Sequence, residues 1–271
     1  MSLRLGVLLD DLTLGGAKLD DPVDVVVIRS TFLNPPRAAA AKRQAEKILA
    51  LHRGAELIPY VWHYVTHELD DGIEVGSNRA LETSGKFGHF RSTPDVAQAW
   101  SVSSICAQAY GATTMVVRTP PSFSPGALSR KRMREFIEAH ASEDISLIWE
   151  PAGLWETAQA VAFADELGLE VMGPAIGMTG QVLEFEGASW LRVPGGKDGR
   201  LRASQAESLA VALAELDIFG PDDEDGDEGD AGEDDEGEDA EGDGADTVTL
   251  LFDGPRAHGN LRAFVQACQQ M

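Results

Sequence analysis

The tripeptide Trp149-Glu150-Pro151 sets a carboxylate at the end of the short apolar run Ser146–Trp149. A carboxylate in that place is expected to project from a strand end beside an apolar wall, which raises a carboxyl pKa toward the range useful for proton transfer. Glu150 is therefore the leading candidate acid or base. Arg192 is the residue expected to orient an anionic substrate, and His67 is a further member of the catalytic set. The plainer reading is an ion pair of Glu150 with Arg192 or Arg118 that holds the site together, because structural ion pairs use the same residue types as catalytic ones.

His63 and His67 are four apart, with Glu68 next in line. On a helix both imidazoles would share one face, as metal ligands do. The glutamate of a zinc-protease motif would follow the first histidine, and Tyr64 stands there instead. A structural role for Thr66 and His67 in bonding loop backbone is the favoured reading, so the sequence assigns no metal and names no cofactor. Arg79, Lys86, His89 and Arg91 make one loop basic, and Arg130, Lys131, Arg132 and Arg134 do so near the start of a predicted helix. Cations at a helix N-terminus oppose its dipole, which makes the second cluster a candidate for holding an anion; the favoured reading is a solvated face, the usual role of such clusters on surface helices. Gly15-Gly16 lacks the spacing of a phosphate loop and reads as a turn. No serine sits in a GxSxG pattern and Cys106 has no flanking histidine, which argues against a nucleophile elbow or a thiol protease.

The elements that must position these residues show as eight short apolar runs: Leu3–Leu9, Val23–Ile28, Glu56–Val61, Thr114–Arg118, Ser146–Trp149, Leu169–Met172, Ser189–Val193 and Thr247–Phe252. Helical patterns lie between most of them, at Ala38–His52, Asp95–Tyr110, Ser129–His140, Leu154–Leu167 and Ser204–Leu216, with a last one at Asn260–Gln270. Alternating buried strands and helices predict a parallel sheet, and eight strands predict its closure into a TIM-type (β/α)₈-like barrel. The barrel is expected to be irregular, because no helix pattern shows between the first and second strands or between the sixth and seventh.

With 271 residues and 43% apolar content, one barrel domain accounts for the whole chain. The net charge of −23 is concentrated in Asp222–Asp246, which holds 16 acidic residues and no basic one, leaving seven negative charges elsewhere. From 221 to 246 the chain offers only Asp, Glu, Gly and Ala after Pro221, too little apolar surface to offset ordering, so it is read as a disordered acidic insertion. Such a segment suits a basic partner, while the overall charge disfavours nucleic acid. Two cysteines form no disulfide pattern and fit a reducing cytoplasm. Leu3–Leu9 is too short for a signal core or a membrane span.

Several phrases, in order along almost the whole chain, resemble the YecE-like family, also called the domain of unknown function 72 (DUF72) family. They are Ser30-Thr31-Phe32 with Pro35-Pro36; Trp62 through Glu68, ending Thr66-His67-Glu68; Gly88-His89-Phe90-Arg91-Ser92-Thr93 with Ala99-Trp100; Pro120-Pro121-Ser122-Phe123; Trp149-Glu150-Pro151 with Gly153 and Trp155; and Trp190-Leu191-Arg192 with Gly195. The resemblance implies a TIM-type barrel and carries no established reaction. The departures fall on polar positions at strand ends. Val27 stands where the family usually has Glu, Arg29 where it has an amide, Tyr60 for Lys, Arg118 for Gln, Ala152 for Arg, Pro194 for His, and Asp253-Gly254 for Asn-Asn. Strand C-terminal ends line the site of a barrel. This pattern predicts a binding or regulatory barrel with an altered polar lining, in which Arg118, Tyr60, Arg29 and Asp253 meet a small anionic ligand or partner. The alternative is a hydrolase or isomerase working through Glu150.

Overall fold

A computed structural model describes residues 2–10, 16–73, 85–140, 144–185, 187–215 and 247–271. The acidic stretch 221–246 lies outside the described residues, as does Arg79.

Eight strands form the barrel: β1 (Ser2–Leu9), β2 (Val25–Ile28), β3 (Glu56–Pro59), β4 (Thr114–Arg118), β5 (Ser146–Glu150), β6 (Glu170–Pro174), β7 (Trp190–Pro194) and β8 (Thr247–Asp253). They pair in parallel in the order β3-β2-β1-β8-β7-β6-β5-β4. The ring closes through a parallel bridge between Tyr60 and Val116, where the Val61 N–H donates to the Val116 carbonyl at 2.8 Å. The expected (β/α)₈-like barrel is thus the observed architecture, with β3 and β4 as its thinnest seam.

Side chains alternate across each strand and sort into two apolar layers. Leu8, Val25, Val27, Ile58, Val116, Ile148, Met172, Trp190 and Leu251 fill the lumen. Their neighbours Val7, Val26, Leu57, Val117, Trp149, Leu191 and Phe252 face outward and pack under the helices. These helices are α1 (Ser30–Leu33), α2 (Ala38–Leu51), α3 (Pro94–Tyr110), α4 (Ala127–His140), α5 (Thr157–Asp165), α6 (Ala203–Ala214) and α7 (Ala257–Cys268). The start of α3 follows from local chemistry: Thr93 caps the Val96 N–H, Pro94 opens the first turn, and Gly111 ends the helix in the left-handed region at φ 72°.

Several boundaries differ from expectation, and for α1 and α5 the reason is identifiable. The short turn α1 carries no hydrophobic period of its own; Thr31 holds it by donating to the Ile28 or Tyr60 carbonyl, each 2.8 Å away. α5 begins at Thr157 and not at Leu154, because Trp155 is held out of helix by its indole N–H donating to the Phe123 carbonyl at 2.7 Å. α7 begins a turn earlier than Asn260.

Among the described residues no helix lies between β6 and β7, where a short bridge joins Ile176 to Val182. Among the described residues none lies between β1 and β2 either. There Arg262 of α7 pins the connection by donating to both Asp21 oxygens at 2.8 and 2.9 Å and to the Gly16 carbonyl at 3.1 Å. Beside it His52 and His258 stack with ring centroids 5.1 Å apart and Nε2 atoms at 3.1 Å, joining the end of α2 to α7. Among the described residues no helix is long and apolar enough to cross a membrane.

Candidate functional site

Continuing the inward parity of each strand by two residues past the last apolar lumen residue gives the lining of the C-terminal rim. Leu8 leads to Asp10, Val27 to Arg29, Ile58 to Tyr60, Val116 to Arg118, Ile148 to Glu150, Met172 to Pro174, Trp190 to Arg192 and Leu251 to Asp253. The rim therefore carries three arginines and three carboxylates. Polar groups gather there because the layer below is fully apolar and the strand ends are the first level that solvent can reach.

Six of the eight residues join one chain of alternating charge. Arg29 pairs with Asp10 and forks onto Asp253, with Nη1 and Nη2 3.1 and 3.2 Å from the two oxygens. Arg192 Nε lies 3.2 Å from the same Asp253 carboxylate, and its Nη1 donates to Glu150 Oε1. Glu150 Oε2 accepts from the Tyr60 hydroxyl at 2.9 Å and lies 3.8 Å from Arg118 Nε. Three of these links skip a strand: Arg29 reaches over β1 to β8, Arg192 reaches over β6, where Pro174 offers no donor, and Tyr60, just past β3, reaches over β4 to β5. Alternating opposite charges satisfy each group in a poorly solvated layer, which is the condition for burying any of them.

The electrostatics follow from that layout. Burial works against the charge of Arg29, but Asp253 and Asp10 outweigh it and raise its pKa further. Burial pushes the Tyr60 phenol well above its usual range, with the Glu150 carboxylate adding to it, so Tyr60 is a neutral donor. Glu150 does not meet the expected apolar wall. Trp149 points to the outer layer, its indole N–H donating to Thr119 at 3.1 Å, while Glu150 faces a guanidinium and a phenol.

Glu150, Arg192, Arg118, Tyr60, Arg29 and Asp253, all singled out from sequence, are thus gathered on one rim. His67 is not brought into hydrogen-bond contact with them. Its Nδ1 bonds Thr66 Oγ1 at 2.8 Å, and its ring stands edge-on to Phe32 at 4.9 Å, the same ring that Arg118 overlies at 5.8 Å. Burial drives the His67 pKa down to about 3; Asp71 opposes this, and the Arg118, His63 and His89 charges add to it. His63 donates from Nδ1 to the Phe32 carbonyl at 2.9 Å, leaving Nε2 buried without a described partner. Both histidines lie on a 3-10 turn and its end, not on one face of an α-helix. Among the described residues no group of three or more His, Cys, Asp and Glu side chains is placed to hold a metal ion.

Several members of the basic clusters have partners within the protein. Arg130 lies over the rings of Trp155 and Phe163 at 4.9 and 4.7 Å, Arg134 donates to Glu166 at 2.8 Å, and Lys131 pairs with Glu135 at 3.7 Å. This cluster has a packing reason within the protein after all, because α4 must seat on α5. In the loop after β3, Arg91 pairs with Glu68, and His89 lies 3.2 Å from the same carboxylate. Sequence reasoning did not anticipate that Asp10 belongs to the rim. The signal was available, since Asp10 lies two residues past Leu8 on the lumen face.

No family model matches the chain, and no curated protein matches it. Similarity appears in solved structures. A DUF72 family protein from Enterococcus faecalis V583 aligns over 99% of this chain and 98% of its own at 11% identity, with a TM-score of 0.60. A DUF72 family protein from Thermotoga maritima MSB8 aligns over 100% and 99% at 10% identity, also with a TM-score of 0.60. A D-psicose 3-epimerase, crystallised in the presence of D-fructose, aligns over 98% and 94% at 12% identity with a TM-score of 0.52. At such identities the likeness concerns the path of the backbone, and by that measure the chain has a DUF72-like TIM-barrel fold along its full length.

Proposed function

We propose that this protein is a binding barrel whose C-terminal rim takes a small anionic ligand, with Arg118 as the side chain that meets it. The observation that carries this reading is the inequality of the three rim arginines. Arg29 and Arg192 both donate into carboxylates, whereas Arg118 keeps only a 3.8 Å approach to Glu150 and a place over the Phe32 ring among its described contacts. Its planar fork is suited to a carboxylate or phosphate in two-point contact. The equal number of rim acids and bases means that capture depends on this local contact and not on a broad positive field.

The alternative, Glu150 as acid or base of a hydrolase or isomerase, has less support. Both of its oxygens are engaged, Oε1 by Arg192 and Oε2 by Tyr60, and proton transfer would require one of these bonds to open. The epimerase among the structural neighbours shares the backbone fold at 12% identity, too remote to transfer its chemistry.

Calorimetric titration with inorganic phosphate, sulfate and malonate tests the proposal. At least one anion is expected to bind, and Arg118→Ala to weaken that binding about tenfold or more, the loss of one charge-assisted contact. Equal affinity in Arg118→Ala, or no binding of any of the three, would sink it.

A further inference from the structure

A second polar cluster stands outside the rim network, where the loops after β3 and β4 meet at His89. His89 Nε2 is 3.0 Å from Ser122 Oγ, in the loop after β4, and its Nδ1 is 3.2 Å from Glu68 Oε1, in the loop after β3. Ser122 is exposed, Glu68 half-buried, and the His89 side chain only 15% exposed. Hydroxyl at one ring nitrogen and carboxylate at the other is the arrangement by which an imidazole takes a proton from a serine while an acid holds the ring.

The backbone holds His89 in this place at a cost. Gly88, His89 and Phe90 all lie in the left-handed region, at φ 80°, 47° and 52°, and two of the three are not glycine. A side chain with a Cβ is disfavoured there, because the Cβ crowds the following carbonyl oxygen. Three successive N–H groups tie the segment down, donating to the carbonyls of Tyr64, Thr66 and Val65 at 2.9, 2.9 and 3.0 Å. Gly88 admits no side chain, since a Cβ would stand 2.5 Å from the His67 carbonyl carbon and oxygen. The Phe123 ring meets His89 edge-on at 5.6 Å and fixes its plane. Glu68 is fixed in turn by Arg91, and by Asp71 Oδ2, which accepts the Glu68 N–H at 2.7 Å.

We propose that Ser122 is a nucleophile activated by His89 and positioned by Glu68, forming an acyl-transfer site for small carboxylic esters beside the barrel mouth. Ser122 Oγ attacks the ester carbonyl carbon while its proton passes to His89 Nε2. The tetrahedral adduct collapses as the bond to the leaving oxygen breaks, and His89 returns the proton to that oxygen. Water then attacks the acyl-serine by the same route, releasing the acid and restoring the Ser122 hydroxyl. For this His89 must be neutral with its proton on Nδ1 toward Glu68. Burial lowers its pKa in that sense; Glu68 and Asp71 oppose the shift, and Arg91 and Arg132 reinforce it. Ser122 Oγ donates to Asp71 Oδ1, and Asp71 Oδ2 lies 3.6 Å from His89 Nε2, so attack requires the hydroxyl proton to turn from that carboxylate to the imidazole. The site has no GxSxG elbow; its serine comes from a Pro-Pro-Ser-Phe turn, which is why motif reasoning passed it over.

The test uses the full chain. A fluorophosphonate probe is expected to form one adduct, the phosphorus bonding to Ser122 Oγ as fluoride leaves, located by peptide mass spectrometry. Hydrolysis of p-nitrophenyl acetate should fall at least 100-fold in Ser122→Ala and His89→Gln, and stay unchanged in Ser204→Ala, an exposed serine of α6. Glu68→Gln should move the pH midpoint of turnover downward, because a negative charge that raises the His89 pKa is removed; a merely structural role would leave that midpoint in place. Around His89 the charged groups to be considered are Glu68, Asp71, Arg91 and Arg132, with His67 close by. Absence of an adduct on Ser122 in the wild-type protein, or an adduct that forms equally fast in His89→Gln, overturns the proposal, and the wild-type mapping decides the matter if Ser122→Ala fails to fold.

Discussion

The guanidinium of Arg29 is forked onto the carboxylate of Asp253 by two hydrogen bonds of 3.1 and 3.2 Å, although 224 residues separate the two in sequence. The pair ties β2 to β8 over the end of β1. Asp253 serves Arg192 as well, so a single carboxylate balances two cations at the most constrained point of the rim.

Asp253→Ala should accordingly lower stability by about 3 kcal/mol, since two largely buried guanidiniums lose their common partner. Urea denaturation would register this as a lower midpoint with an unchanged slope. Replacing Arg29 by Met in the same variant should recover part of the loss, because it removes one of the two cations left with a single carboxylate partner. A further drop of similar size in the double variant would show that the pair does not carry the coupling described.

Glu150→Gln removes one of three negative charges from a rim that also carries three positive ones. If Arg118 captures an anion, phosphate affinity should rise several-fold, on the order of 1 kcal/mol for a neighbouring charge in a partly screened site. If Glu150 were instead the acid or base of a reaction, the same change would abolish turnover of the substrate. Titration of both proteins side by side separates the two.

Stability should decline on acidification between pH 6.5 and about 4. Burial, with the neighbouring His52 adding to it, lowers His258 from an ordinary 6.5 to about 4, and burial takes His67 to about 3. The unfolded chain therefore binds protons in this window that the folded protein refuses, and each proton so refused favours unfolding. For His258 alone the loss is on the order of 3 kcal/mol once the pH has fallen through both values. Denaturation midpoints at pH 7, 5.5 and 4.5 measure it, and the double change His52→Gln, His258→Gln should flatten the slope. A slope unaltered in that variant would place the acid sensitivity elsewhere.

Gly153→Ala should destabilise the loop after β5 by at least about 2 kcal/mol. Its φ is +77°, and a Cβ would stand 2.5 Å from the Pro121 carbonyl oxygen, so neither the backbone nor the neighbouring turn has room for it. A thermal melt within a degree of wild type would contradict this reading.

The apolar runs from Leu3–Leu9 to Thr247–Phe252 were enough to locate all eight strands, because strands buried on both faces must be apolar throughout. The departures from the strand-end motifs of the resembling family made Arg29, Tyr60, Arg118 and Asp253 legible as rim residues, and the carboxylate closing the run Ser146–Trp149 did so for Glu150, with Arg192 as its expected partner. Partnership was not legible. That Arg29 reaches past β1 to Asp253, that Arg130 spends its charge on the rings of Trp155 and Phe163, and that His89 meets Ser122 and not the arginines around it are consequences of how the ring closes and where its loops fold back. Local sequence determines the period and polarity of an element; only closure of the barrel brings the ends of distant strands within the few ångströms over which a hydrogen bond or an ion pair acts.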